Sequence, residues 1–208
     1  ISTDEVFGSL KKGSASEKDA FNPSSPYAAS KASAELLVKS YFVTYGIDAI
    51  ITRCTNNYGP RQSAEKLIPK TVLNASKNQK IPVYGSGRNV RDWIFVDDHC
   101  EGILEVLSNG RNGESYNISA NNEMENLTII KKILEIMGKS EDLIEFVRDR
   151  PGHDFRYSLD STKIRSIGWK TRTNFEEGIK KTIDWYLSNK NWVQHVDEKL
   201  LTKNPWKS

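Results

Sequence analysis

The sequence contains few of the residues that bind metals or form disulfides. It has two cysteines, Cys54 and Cys100, and three histidines in 208 residues, and no CxxC pair occurs. A structural zinc site needs about four such ligands at close spacing, so we expect no metal site. Both cysteines lie in apolar contexts, and buried free thiols are typical of a reducing compartment. We therefore expect a cytoplasmic protein.

Long apolar segments and an excess of one charge are also missing from the sequence. No stretch approaches the roughly 20 apolar residues that a membrane span needs, so we expect no membrane partner. The chain has 30 basic and 27 acidic residues, a net charge of +3, and no basic run that alternates with aromatics. This balance argues against a nucleic-acid partner. With 37% hydrophobic residues, the composition is that of a globular protein with a core.

Segments typical of helices and strands alternate along the chain. Residues 22–46 predict a helix, with Ser25 as its N-cap, Pro26 in its first turn and Gly46 at its end. The apolar run 47–53 predicts a strand of a parallel sheet that is covered on both faces. Further helices are predicted at 67–78, 97–110, 126–138 and 174–189, and further strands at 81–85, 90–96, 114–119 and 144–148. The alternation predicts an α/β fold, with part of a nucleotide-binding parallel sheet followed by a smaller domain.

Two small groups of residues near the start of the chain carry candidate chemistry. Tyr27 and Lys31 are four positions apart and share a face of the predicted helix, where a nearby ammonium would favour the phenolate. A lowered pKa would make Tyr27 a usable base at neutral pH. The adjacent Thr3, Asp4 and Glu5 could divide acid and base roles at the end of a strand. Residue types alone leave alternatives open: a chance Tyr–Lys pair, and solvated carboxylates that cap a turn.

Several longer motifs agree in order and spacing with one known family. They are STDEVFG, SPYAASKASAE, RCTNNYGP, EKLIP, IPVYGSGRNVRDWIFVDDHC and DRPGHDFRY. In these motifs the sequence resembles the nucleotide-sugar 4,6-dehydratases of the extended short-chain dehydrogenase/reductase family, from Ile1 to about Leu187. Within that family it is most similar to the enzymes that act on dTDP-glucose. Phe7 departs from the family pattern, in which Tyr is usual at this position.

The resemblance implies a lyase of deoxysugar biosynthesis that uses NAD to convert a nucleotide-linked glucose into its 4-keto-6-deoxy form. It implies that Tyr27 takes the proton of the sugar 4-hydroxyl, and that Lys31 lowers the Tyr27 pKa and contacts the cofactor ribose. Thr3 would bond the 4-oxygen. Asp4 would protonate the departing 6-hydroxyl, and Glu5 would remove the C5 proton.

The resemblance also implies a set of binding residues. Asn57, with Tyr27 and Lys31, would bind NAD. The residues implied for the nucleotide-sugar substrate, besides Thr3, are Asn56, Lys66, Leu67, Pro82, Val83, Tyr84, Arg91, Asn126, Asp149, Arg150, Pro151, Gly152 and His153. Two simpler interpretations stay open: Arg91 as a surface ion pair with Asp92, and 149–153 as a plain Pro-Gly turn.

The resemblance covers only the part of the family that follows its glycine-rich NAD-binding units, and no G-x-G-x-x-G occurs in this sequence. We therefore expect a chain that lacks those units and is inactive by itself. The expected fold is the C-terminal portion of a Rossmann-type sheet at 1–60, an interleaved α+β substrate domain at 61–190, and a tail at 191–208. Family members are usually homodimers, so we expect a homodimer in the complete enzyme.

Two other functions remain open from the sequence. One is a sugar-nucleotide epimerase or decarboxylase of the same family, although those enzymes usually lack the acidic pair found here at Asp4 and Glu5. The other is a substrate-binding fragment without catalysis.

Overall fold

The computed structural model of the protein describes residues 1–201. Its strands are β1 (Ser2–Thr3), β2 (Ile51–Cys54), β3 (Asn56–Tyr58), β4 (Ile81–Tyr84), β5 (Val90–Phe95), β6 (Ser115–Ile118), β7 (Glu123–Glu125) and β8 (Ile144–Val147). Its α-helices are α1 (Pro26–Tyr45), α2 (Leu67–Ser76), α3 (Val96–Asn109), α4 (Asn126–Ile136), α5 (Thr162–Ser166), α6 (Phe175–Ser188) and α7 (Lys190–Gln194). Short 3-10 helices lie at Asp4–Phe7, Glu141–Leu143 and Glu198–Leu201.

The described chain divides into two compact units, and each is made of separate segments. The first unit consists of residues 1–57, 90–123 and 154–173, and the second of 58–89, 124–153 and the chain from 174 on. The division into 1–60, 61–190 and 191–208 stays a prediction, and its last seven residues lie outside the described chain. No helix within residues 1–201 is long and apolar enough to cross a bilayer.

A parallel sheet with the strand order β1-β2-β6 organises the first unit. Ser2 pairs with Arg53 and Thr3 with Cys54, while Arg53 lies opposite Asn117 on its other side. β2 is therefore the central strand. Because parallel strands end at the same edge of a sheet, the residues that follow Thr3 and Cys54 emerge side by side. A second set of strands in this chain has the order β3-β5-β7.

Local signals in the sequence account for both ends of α1. The Ser25 side chain accepts a hydrogen bond from Ala28 N at 3.1 Å, and Pro26 occupies the first helical position. Gly46 ends the helix with a φ of 66°, a left-handed conformation that costs glycine little, and its N–H bonds the Phe42 carbonyl. The predicted roles of Ser25, Pro26 and Gly46 are confirmed, although the helix begins at Pro26 rather than at residue 22. These residues fix where Tyr27 and Lys31 lie.

Each unit has its own apolar core. In the first unit, one cluster packs around β5, α3 and β6, with Ile94, Val106, Tyr116, Ile118, Ile164 and Trp169. A second cluster, with Val6, Phe7, Ala15, Ala32 and Leu159, lies beneath the Asp4–Phe7 helix. In the second unit, β4 pairs in parallel with β8, and α2 and α4 cover them with Ala75, Ile81, Val83, Ile130 and Leu134.

The structure confirms the α/β architecture with parallel strands. It adds short elements that were not expected, among them β7, α5 and α7, and it changes the expected elements around β2. The strand expected at 47–53 begins only at Ile51, where its pairing with Ser115 starts. Residues 47–50, which are apolar except for Asp48, are at least partly exposed. The segment expected to be a loop after Cys54 contains β3. An apolar run does not by itself tell a strand from its lead-in, because the partner strand decides where pairing starts.

Candidate active site

The end of β1 places three reactive side chains in one turn. Thr3 ends β1 and caps the Asp4–Phe7 helix, and its Oγ1 accepts a hydrogen bond from Glu5 N at 3.3 Å. The Thr3 hydroxyl also donates to Asp4 Oδ1 at 3.2 Å. Asp4 is buried, whereas Glu5 is half-buried. The turn therefore gives two neighbouring carboxyl groups different surroundings.

Burial makes Asp4 a weak acid. Its pKa is raised to about 7, mainly because burial penalises the charged form and also because Glu5 is close, while Arg91 and Thr3 act in the opposite direction. Its Oδ2 is buried and has no hydrogen-bond partner among the described residues. Asp4 thus keeps a proton up to about neutral pH and has an oxygen free to donate it, which is what a general acid requires.

The raised pKa of Asp4 predicts how stability depends on pH. The folded chain binds the Asp4 proton more tightly than the unfolded chain does. The stabilisation of the fold by protonated Asp4 is therefore lost as pH rises from 3.8 to about 7. Asp4→Asn cannot ionise and should not show this loss. In thermal melts, we expect Asp4→Asn to exceed the wild-type melting temperature at pH 8, with a difference that shrinks towards pH 4.

A control for this prediction is Asp19→Asn. Two hydrogen bonds from Ser16 to the Asp19 carboxylate, at 2.7 and 2.6 Å, lower the Asp19 pKa. A carboxyl group whose pKa is lowered by folding stabilises the fold at pH values above its ordinary pKa, and this stabilisation is lost as pH falls. Asp19→Asn should therefore have a lower melting temperature than the wild type at pH 8. A difference between Asp4→Asn and wild type that stays constant with pH would contradict the buried acid.

Tyr27 lies in the first turn of α1, close to this group. Its pKa is raised, first by burial and then by the charge of Glu5, although a hydrogen-bonding contact with the Thr3 hydroxyl lowers it. The Lys31 ammonium donates to the Ile1 carbonyl at 2.7 Å. The structure does not show the expected lowering of the Tyr27 pKa by Lys31, because burial and then the Glu5 charge raise that pKa. The catalytic roles of both residues stay predictions.

Cys54 ends β2 beside the same group. Its thiol donates to the Ser2 carbonyl at 3.6 Å and accepts from Asn57 Nδ2 at 3.4 Å. Burial and the Asp4 charge raise its pKa to about 12, so it stays a neutral thiol. Asn57 also donates to the Thr55 carbonyl at 3.2 Å. These bonds hold Asn57 beside Cys54, and Asn56 precedes it at the start of β3.

Arg91 on β5 lies in the first unit with the catalytic candidates. Its guanidinium donates to the carbonyls of Val90, Phe155 and Asp154 at 2.7, 3.1 and 2.8 Å. It also lies over the ring of Tyr157, at 4.3 Å from the centroid. Arg91 is buried and is one of the charges that act on Asp4. The surface ion pair with Asp92 is therefore not its role, and its contact with substrate stays a prediction.

The sequence analysis did not single out Tyr157. This buried residue donates its O–H to Asp154 Oδ2 at 2.7 Å, and Ser24 donates to the same carboxylate oxygen. Burial is the main cause of its raised pKa, and the charge of Glu5 adds to it, so its hydroxyl lies near the acidic turn. The signal was present in the sequence, because Tyr157 ends the motif DRPGHDFRY.

Another set of the predicted residues lies in the second unit, at the ends of β4 and β8 and in the loop that follows β8. Asp149 accepts hydrogen bonds from Arg150 N at 2.8 Å and lies 2.7 Å from His153 Nδ1. Gly85, which follows β4, has a φ of 56°, and a side chain there would meet the Asp149 carboxylate at 2.7 Å. The Arg150 charge also acts on the Tyr84 hydroxyl. The loop 149–153 therefore lies close to the end of β4, where Asp149 approaches Gly85 and Arg150 approaches Tyr84.

The remaining predicted residues of the second unit have mixed surroundings. Val83 is buried in the core, which leaves its backbone groups for a ligand, whereas Leu67 packs against that core and is only partly buried. Lys66 is well exposed and pairs with Glu65 at 3.2 Å. Pro82 is buried beside Val83, and Asn126 begins α4 with its N–H bonded to the Asn89 carbonyl at 3.0 Å.

The structure therefore brings the predicted residues together in two groups. The first unit holds the candidate catalytic group, with Thr3, Asp4, Glu5, Tyr27, Lys31, Asn56, Asn57 and Arg91. The second unit holds the candidate nucleotide group, with Lys66, Leu67, Pro82, Val83, Tyr84, Asn126 and residues 149–153. Among the described residues, no cluster of His, Cys, Asp and Glu could hold a metal ion.

Comparison with known proteins gives several relatives named dTDP-glucose 4,6-dehydratase, at 44% identity or more. The chain is 44% identical to a probable dTDP-glucose 4,6-dehydratase of Sinorhizobium fredii, over 96% of this chain and 60% of that protein. It superposes with a TM-score of 0.90 on DesIV, a dTDP-glucose 4,6-dehydratase of Streptomyces venezuelae crystallised with NAD, at 47% identity over 92% of this chain and 60% of that one. The chain spans about 60% of the length of these relatives.

More distant structures share the fold. A UDP-glucose 4-epimerase of Thermus thermophilus in complex with NAD superposes with a TM-score of 0.84 at 27% identity, over 90% of this chain and 62% of that one. A family model for GDP-mannose 4,6 dehydratase matches residues 1–182. Because this match covers most of the chain, the chain belongs to the GDP-mannose 4,6 dehydratase family.

Proposed function

We propose that the full-length protein that carries this chain dehydrates dTDP-glucose to dTDP-4-keto-6-deoxyglucose, with NAD as its cofactor. The observation that carries the proposal is the turn at the end of β1, where a buried, protonated Asp4 adjoins the half-buried Glu5. Relatives named dTDP-glucose 4,6-dehydratase, at 44% and 45% identity, support the substrate.

Each side chain of the catalytic group has a role in this reaction. Tyr27 accepts the proton of the sugar 4-hydroxyl, and the Thr3 hydroxyl, which lies between Tyr27 and Asp4, orients the 4-oxygen. The 4-keto group acidifies the C5 proton, which the more exposed Glu5 removes. Asp4 gives its proton to the 6-hydroxyl, which leaves as water. The two carboxyl groups divide base and acid roles because burial holds the Asp4 pKa near neutrality.

The residues present fit a nicotinamide cofactor. Tyr27 presents its side chain from the first turn of α1 with 54% of its surface exposed, so a flat ring can reach it. Lys31 follows one turn later, and Asn57 is held beside Cys54 by two hydrogen bonds. These three residues would hold NAD. When bound, NAD supplies the hydride acceptance at C4 and the hydride return at C6.

Deuterium labelling tests the proposal directly. The full-length protein is incubated with NAD and dTDP-glucose deuterated at C4, and the product is examined by NMR. We expect a 4-keto-6-deoxy sugar with the deuterium at C6. In parallel incubations, UDP-glucose, which differs only in the nucleotide, and GDP-mannose, which differs in both the nucleotide and the sugar, should react more slowly than dTDP-glucose.

The same experiment separates the other functions. An epimerase would return the deuterium to C4 with inverted configuration and leave the 6-hydroxyl in place. A protein that only binds substrate would leave the label where it was and still bind dTDP. Either result with dTDP-glucose would contradict the dehydration.

We also propose that the full-length protein is a cytoplasmic homodimer. The free thiols of Cys54 and Cys100 support the cytoplasmic location. Exposed apolar side chains on α1, including Leu36, Leu37 and Tyr41, support the homodimer. Light scattering after size exclusion measures the oligomer, and Leu37→Asp should lower its mass to that of a monomer. An unchanged mass would contradict a homodimer formed through α1.

A further inference from the structure

α1 has an inverted distribution of side chains. Its buried residues are Ala28, Ala32 and Glu35, whereas Leu36 and Leu37 on the same turns are 57% and 61% exposed. A helix normally turns its apolar residues to the core and its charges to water. Glu35 is only 3% exposed, and it lies on the face of α1 that also holds Ala28, one residue after Tyr27.

The partner of Glu35 is Arg53 in the centre of the sheet. Arg53 is fully buried on β2, and its Nε lies 2.9 and 3.0 Å from the two Glu35 oxygens. Its Nη2 donates to Glu35 Oε2 at 2.6 Å. The planar guanidinium therefore meets the carboxylate through two nitrogens, a geometry that fixes orientation as well as distance.

Arg53 also contacts the turn that carries Asp4 and Glu5. The rings of Phe7 and Phe21 lie 5.0 and 5.3 Å from its guanidinium carbon. Phe7 ends the Asp4–Phe7 helix, so it moves with the two carboxyl groups. One arginine thus joins the helix of Tyr27, through Glu35, to the acidic turn, through Phe7 and through the pairing of its backbone with Ser2.

Stability alone does not account for a buried ion pair at this place. Desolvation of two charges offsets most of their attraction, and apolar residues of similar volume often do as well or better. Apolar contacts, however, tolerate a rotation or slide of α1 along the sheet. The Glu35–Arg53 contact does not tolerate it, because movement would leave two buried charges apart.

We propose that Glu35 and Arg53 are positioning residues that fix the Tyr27 hydroxyl relative to Asp4 and Glu5. The proposal rests on the proposed function for its effect on hydride transfer. Its effect on the surroundings of Tyr27 does not depend on that function. The titratable or hydroxyl groups that face Tyr27 are Thr3, Asp4, Glu5 and Cys54.

The first test is Glu35→Asp in the full-length protein. This variant keeps both charges but draws the carboxylate back by about 1.5 Å, one C–C bond. Displacements of about 1 Å can cost as much as 100-fold in rate, so we expect single-turnover hydride transfer from dTDP-glucose to fall about 10- to 100-fold. The dissociation constants of NAD and dTDP should change less than about threefold, and the loss should appear in kcat rather than in KM.

The second readout needs no activity. In protein labelled with ¹³C at tyrosine Cζ, the Tyr27 signal is assigned by its loss in Tyr27→Phe and followed against pH. Burial and the Glu5 charge raise the Tyr27 pKa in the wild type, so displacement of α1 should lower it towards the ordinary value of about 10. If the wild type transfers no hydride but this shift occurs, the proposed function fails and the positioning role stands.

A matched control shortens the acidic side chain of another ion pair beside the same sheet. Glu114 lies 2.9 Å from Lys163, whose ammonium lies 4.2 Å from the centre of the Tyr116 ring. Glu114→Asp should leave both readouts at wild-type values. If Glu35→Asp does not fold, Glu35→Leu with Arg53→Met removes both charges at similar volume and should give the same losses. A wild-type hydride rate and Tyr27 titration in a folded variant of this pair would overturn the proposal.

Discussion

In the full-length protein, Tyr27→Phe is expected to slow hydride transfer from dTDP-glucose by about 10²- to 10⁴-fold. The Tyr27 hydroxyl lies beside Thr3, the residue that would orient the sugar 4-oxygen. The proton of the sugar 4-hydroxyl needs an acceptor, and Tyr27 has that role in the proposed reaction. Loss of a general base typically costs about 10²- to 10⁴-fold. Phe keeps the ring, and the side chain is 54% exposed, so the fold should not change.

The expected pH dependence follows from the surroundings of Tyr27. Burial and the Glu5 charge raise its pKa, so the phenol is protonated at neutral pH and the wild-type rate should rise with pH. Stopped-flow absorbance of the reduced cofactor measures this rate. Tyr41→Phe, on the same helix and 51% exposed, is the control and should keep it. Hydride transfer at the wild-type rate in Tyr27→Phe would show that another group takes the proton.

Local signals in the sequence predicted the helices closely, and the reason is visible in α1. Its limits depend on Ser25, Pro26 and Gly46, each of which acts within one turn of the chain. The start of β2 at Ile51 was not predictable in this way, because pairing with Ser115, more than sixty positions away in the chain, sets it. The motif order, in turn, was enough to predict the family, since it does not depend on element bounds.

The electrostatics of the site could not be predicted from the sequence. The spacing of Tyr27 and Lys31 suggested a lowered pKa for the phenol, but the Lys31 ammonium bonds a backbone carbonyl and Glu5 acts on the phenol instead. The burial of Asp4 depends on packing between distant segments. No sequence pattern pairs Glu35 with Arg53, which meet only when the helix packs on the sheet. Such pairings arise only when the chain has folded.

Glu5→Gln and Asp4→Asn are expected to separate oxidation of the sugar from loss of water. Both carboxyl groups act after the 4-keto group forms, so single-turnover hydride transfer to NAD should continue in each variant. Formation of the 4-keto-6-deoxy product should fall by about 10²- to 10⁴-fold, the usual contribution of an acid or base. Asp97→Asn, which changes an exposed carboxylate at the start of α3, should keep both steps.

Exchange of the C5 proton with deuterated water distinguishes the two roles. Glu5 removes that proton, so Glu5→Gln should lose the exchange, whereas Asp4→Asn should retain it while the 6-hydroxyl fails to leave. Glu5→Gln also removes a charge that helps to raise the Asp4 pKa, so any residual elimination should decline at lower pH than in the wild type. Equal loss of hydride transfer and of elimination in both variants would mean that the two carboxyl groups bind or orient the sugar, and the division into base and acid would be wrong.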